Sequence, residues 1–176
     1  MVRPISTDDD RALLEFHRKL SDRTRYLRFF YPHSTLRPDE VTHFTQVDGV
    51  ARVALVLEQD GVLLAVARYD RLEDPTQAEV AFVVADEFQH HGIATLLLQQ
   101  LALQARGAGV THLVAEVLAE NKPMLSVFHS AGFPIQSKSE WGTIGLTMSI
   151  VPTGTIAVED QTGTHQTKRV PPPSTV

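Results

Sequence analysis

Two adjoining segments decide the fold: Ala78-Glu79-Val80-Ala81-Phe82-Val83-Val84, then Phe88-Gln89-His90-His91-Gly92-Ile93-Ala94. The first is rich in β-branched and aromatic residues and reads as a buried strand. From Gly92 to about Arg106 the apolar residues Ile93, Leu97, Leu101 and Ala105 recur at every fourth position. That spacing predicts a helix buried along one stripe, with Gln99, Gln100 and Gln104 off it. Gly107 and Gly109 end it. A strand, a short turn and a helix that opens at small residues have chemical meaning. The first amides of a helix lack internal partners and lie at the positive end of its dipole, so they can hold an anion such as a diphosphate. Gly92 and Ala94 let that anion approach the main chain.

Further elements follow on both sides. After the helix come a strand over 112–117, a helix over 122–130 stopped by Gly132, and a strand over 143–150. Before the decisive segments, residues 2–5 suit a short strand. Ser6 or Thr7 then caps a helix to about Leu20, with Asp8, Asp9 and Asp10 at its positive end. Its apolar face is Leu13, Leu14, Phe16, His17 and Leu20. Residues 22–30 read as a second helical piece, and a third begins at Pro38. Runs 52–57 and 62–69 form a hairpin about Asp60-Gly61. The expected fold is a single α/β (α+β) domain. Its sheet is mixed and mostly antiparallel, with a parallel pair, strands 78–84 and 112–117, joined by the crossover helix.

Composition bounds the function. The chain has 176 residues, 43% hydrophobic and 21% charged, as in a globular domain with a core. A net charge of −5 argues against a nucleic-acid binder. The absence of cysteine excludes disulfides, Cys-ligated metals and a thiol nucleophile. No apolar run approaches the roughly 18 residues of a membrane span, and the acidic start is unlike a secretory signal. The expectation is a cytoplasmic protein with no membrane partner. Aromatic residues run from Phe16 to Trp141. Residues 151–176 lack them and hold four of the ten prolines. The expected division is therefore a domain over 1–150 and a flexible tail over 151–176.

The turn Gln89-x-x-Gly92-x-Ala94 resembles the Q/R-x-x-G-x-G/A signature of the GCN5-related N-acetyltransferase (GNAT) superfamily. Asn121 after the next strand and Gly132-Phe133 after the next helix stand where that family has an Asn and a Gly-Phe. The early segment Ser21-Asp22-Arg23-Thr24-Arg25-Tyr26-Leu27-Arg28-Phe29-Phe30 and the strand Ala78–Val84 are similar, more narrowly, to bacterial Pat-type protein lysine acetyltransferases. Only their catalytic domain is covered, so no regulatory ligand is implied.

The resemblance implies an enzyme that moves an acetyl group from acetyl-CoA to an amine, the favoured acceptor being a protein lysine. It implies cofactor contacts from Gln89, His90, His91, Gly92, Ile93 and Ala94, from the main chain of Val83 or Val84, and from Asn121. Glu79 is the implied general base. A lysine amine has a pKa of about 10.4 and must lose a proton before it attacks. The plain alternative places Glu79 toward solvent on an alternating strand. Phe128 stands where the family often has a proton-donating Tyr, so Ser126, His129 or water would take that part. His90 and His91 lack a third ligand, and no metal is expected. Arg18, Lys19, Arg23, Arg25, Arg28 and Arg37 against the single acid Asp22 suit either an acceptor or phosphate rim, or a solvated face. Tyr26, Phe29 and Phe30 suit packing, with Tyr26 a candidate for the acceptor channel. Two rival functions stay open: acetylation of a small amine, and a noncatalytic acyl-CoA-sensing module.

Overall fold

Apolar alternation makes the strands, and one seven-stranded sheet collects them. The structure is a computed structural model that describes residues 1–151; the tail expected over 151–176 lies, but for Val151, outside the described residues. The strands are β1 (Val2–Pro4), β2 (Arg52–Gln59), β3 (Val62–Arg71), β4 (Gln77–Val84), β5 (His112–Leu118), β6 (Ile135–Glu140) and β7 (Thr143–Ser149). Their order is β1-β2-β3-β4-β5-β7-β6. Only β4 and β5 pair in parallel. The helices are α1 (Asp10–Lys19), α2 (Asp22–Phe29), α3 (Pro38–Thr45), α4 (Ile93–Gly107) and α5 (Lys122–Ser130).

Each sheet face has its own core. On one, Leu97, Leu98 and Leu101 of α4 and Phe128 of α5 pack on Tyr69, Val80, Phe82 and Leu113. On the other, Leu13, Phe16 and Leu20 of the α1 segment and Val41 of α3 pack on Ala54, Val56 and Val66. The period of β4 divides its side chains between them. Ala78, Val80, Phe82 and Val84 are buried against α4, while Glu79, Ala81 and Val83 face the α1–α3 side. Asp60 and Gly61 take φ of 53° and 76° and close the β2–β3 hairpin, as the primed turn requires.

Three expectations change. A 3-10 turn, Thr7–Asp9, precedes α1, because Asp9 accepts from the Ser6 amide at 2.8 Å and from Arg3 at 2.7 and 2.8 Å. Leu14 is exposed, rotated off the buried stripe of α1. β6 is not foreseen: Ile135-Gln136-Ser137-Lys138-Ser139-Glu140 is an edge strand exposed beyond Ile135, which alone packs on the core, so it leaves no apolar alternation.

Candidate active site

The parallel pair is short, and the site opens where it ends. β4 and β5 are in register only from Gln77↔His112 to Glu79↔Val114. Beyond that point β4 continues to Val84 and β5 to Leu118 without pairing with each other, each held only by its outer neighbour, β3 or β7. The strands part like a V, and a cleft of about 620 Å³ occupies the opening. Its walls come from α2, β4, β5, the start of α4 and the length of α5.

The mouth of α4 faces this cleft. Gly92 is its N-cap at φ 77°, a left-handed conformation that suits glycine, and His90 before it lies at φ 63°. The first helical hydrogen bond runs from the Leu96 amide to the Gly92 carbonyl, at 3.0 Å. Among the described residues the amides of Gly92, Ile93, Ala94 and Thr95 donate to nothing. Two other helices, α2 and α5, are closed by a capping side chain. Ser21 Oγ accepts from the Thr24 amide on α2, and Asn121 Oδ1 from the Met124 amide on α5, each at 3.2 Å. A Cβ placed on Gly92 would meet no atom within 4 Å. Free donors, a positive dipole end and open space fit a diphosphate.

Not every predicted contact points into the cleft. Gln89 lines the cleft with its amide anchored, Nε2 donating to the Val84 carbonyl at 3.1 Å and to Thr24 Oγ1 at 3.2 Å. It braces the turn. His90, Gly92, Ile93, Ala94 and Asn121 line the cleft, while His91 does not and bonds the Gln89 carbonyl at 2.6 Å. Val83 and Val84 both line it, but their amides differ. The Ala85 amide donates to Leu64 of β3. Main-chain direction alternates along a strand, so the Val83 amide also points to β3, while those of Phe82 and Val84 point into the gap. No cluster able to hold a metal occurs among the described residues.

Glu79 is exposed and on the open face, as the plain alternative held, yet that face is the cleft wall. It makes no ion pair or hydrogen bond among the described residues. Its cross-strand neighbour Asp70 is taken by Arg52 at 3.1 Å and by Arg68. Glu116, absent from the sequence reading, lines the same cleft from β5. Its signal was the alternation of β5, in which His112, Val114 and Glu116 share a face. Phe128 is buried with its ring 5.5 Å from Phe82. Ser126 lines the cleft; His129 does not and bonds the Leu125 carbonyl at 2.7 Å. Phe29 and Phe30 line it, whereas Tyr26 does not.

The Pat-like early segment gains a physical role. Asp86, in the turn after β4, accepts from Ser21 Oγ at 2.6 Å, the Ser21 amide at 2.9 Å and Thr24 Oγ1 at 2.7 Å. Burial opposes ionisation there, but these hydrogen bonds outweigh it and hold the carboxyl below its ordinary range. α2 is thus tied to the segment that carries the α4 mouth. The basic run is mostly neutralised: Arg18 pairs with Glu15, Arg23 with Glu120, Arg25 with Asp22, and Arg37 with Asp39.

Residues 15–133 match the acetyltransferase (GNAT) family. The chain belongs to that family. Acetyltransferase Pat of Mycolicibacterium smegmatis is 27% identical over 165 residues, which cover 91% of this chain and 48% of the relative. The chain therefore spans about half the length of that relative. The GNAT domain of S. lividans PAT matches at 38% identity with a TM-score of 0.80, over 84% of this chain and 89% of that domain. The structure of yncA from Salmonella typhimurium, solved with its cofactor acetyl-CoA, matches at 16% identity and a TM-score of 0.69, over 88% and 95% of the two chains. That last likeness is one of fold. Among the described residues no helix is long and apolar enough to cross a membrane.

Proposed function

We propose that this chain transfers the acetyl group of acetyl-CoA to an amine, with a protein lysine side chain as acceptor. The observation that carries the reading is the parting of β4 and β5 beside the uncapped mouth of α4, with an unpaired Glu79 on the wall. Amides 92–95 hold the diphosphate. The acyl carrier's arm lies in the gap, with Asn121 beside it. The bound thioester supplies an activated acyl group with a good leaving group. Glu79 accepts the ammonium proton, directly or through water, so that a neutral amine attacks. Phe82 and Val84 amides, facing the gap, are the donors available to a carbonyl oxygen. In the proton-return role, Ser126 or water replaces the family's Tyr, since Phe128 has no proton to give.

Two observations favour a lysine acceptor. Glu79 and Glu116 make the cleft wall attractive to a cation, and the similarity to Pat-type domains covers most of the described chain. The test is labelled acetyl-CoA offered with protein lysates and with a panel of small amines. Label on protein lysines is expected. Label confined to small amines overturns the acceptor, and none at all overturns the transfer.

A further inference from the structure

One cation of the early basic run has no counter-ion. Arg28 of α2 is half-buried and lines the cleft, yet its guanidinium makes no hydrogen bond or ion pair with any described residue. Its other neighbours do not satisfy it. The guanidinium carbon lies 5.0 Å over the Phe29 ring, and the nearby Asp70 carboxylate is already bonded by Arg52 and Arg68. Arg28 also lines a second, smaller cavity of about 40 Å³ that shares Phe29, Ala81 and Val83 with the cleft. Arg68 lines that cavity too, and its buried Nε donates to nothing. Burial, then repulsion from Arg68, pushes the Arg28 group down to about 10, with Glu79 and Asp70 opposing. The protein has placed a half-buried fork of donors beside the acceptor wall, with no acceptor for it among the described residues.

We propose that Arg28 sets acceptor specificity by taking a carboxylate carried by the acceptor, while the acceptor's amine lies toward Glu79. The inference rests on the acetyl-transfer reading and deepens it. A planar guanidinium matches a carboxylate by two parallel hydrogen bonds, which a lysine in its place does not reproduce. Without Arg28, the same carboxylate would enter a cleft bearing Glu79 and Glu116 and meet only like charge. The carboxylate has two sources: an Asp or Glu beside a target lysine, or the acid group of a free amino acid.

Calorimetric titration of the protein saturated with CoA separates them without turnover. One arm compares a lysine peptide with a neighbouring Glu against its Gln twin; the other compares free lysine with lysinamide. The acid member of at least one pair is expected to bind tenfold tighter or more, the range of a hydrogen bond to a charged group. In Arg28→Gln that preference should shrink to within about twofold, and in Arg28→Lys it should survive in part. Equal binding of both members by the wild type, a preference that persists in Arg28→Gln, or no binding of any acceptor overturns the inference. The wild-type comparison does not depend on how the variants fold. Acetyl transfer, measured separately with labelled acetyl-CoA, stands or falls without it.

Discussion

Glu79 and Gln89 show how far a single residue is legible in a sequence. A carboxylate in an apolar strand is visible, and alternation gives its face. That the face is a cleft wall depends on β4 and β5 parting, which no local pattern encodes. Gln89 was legible as part of a motif and lines the cleft, but that its side chain also holds Val84 and Thr24 was not legible. Glu79→Gln should lower kcat by about 10²-fold or more at pH 7. The deficit should narrow toward pH 9, where more of the amine is already neutral. A pH series of kcat from 6 to 9 checks this, and a uniform loss across the series would remove Glu79 as the base.

His17 carries a second prediction at this scale. It is buried on α1 with Nε2 3.2 Å from His33 Nδ1, and His33 Nε2 lies 3.0 Å from Glu40. Burial, then the nearby His33 and Arg25, pushes His17 down to about 4. The unfolded imidazole titrates near 6.5, so between those values the unfolded chain holds the extra proton, and stability falls as pH falls. Between pH 7 and pH 5 this group alone removes about 2 kcal/mol. Urea midpoints at the two pH values should differ more for the wild type than for His17→Gln.

Elements were legible where burial leaves a period. The stripe of α4, the Asp-Gly hairpin and α5 over Lys122–Ser130 follow from spacing, a turn dipeptide and a glycine stop. β6 was not, since an edge strand anchored to the core only by Ile135 shows no apolar period. The joint between α2 and the cofactor turn was also hidden, because Ser21, Thr24 and Asp86 are distant in sequence. Asp86→Ala removes three hydrogen bonds that cross this joint. It should cost on the order of 2 kcal/mol and raise the KM for acetyl-CoA several-fold. Thermal melts and initial rates measure the two. Gly92→Val should be worse for the cofactor than for the fold, since strain at φ 77° costs roughly 1–2 kcal/mol while the side chain fills the space over the helix mouth. A KM increase of tenfold or more with a modest drop in Tm is expected.

The whole molecule is two cores on one sheet, with the site at the place where the sheet splits. The cleft shares its walls with the cores: Val80, Phe82, Val84 and Phe128 line it and are buried in the core under α4, while Phe29 and Val83 line it from the other face. The central claim is that the unpartnered amides at the start of α4 grip a diphosphate, and amide NMR tests it most directly. A ¹H–¹⁵N spectrum is recorded during titration with acetyl-CoA, then with S-acetylpantetheine, which lacks the diphosphate. Acetyl-CoA should produce its largest shifts at Gly92, Ile93, Ala94 and Thr95, and S-acetylpantetheine should leave those four nearly unmoved. Saturation with acetyl-CoA while these amides stay in place, or equal shifts from both ligands, would contradict the account.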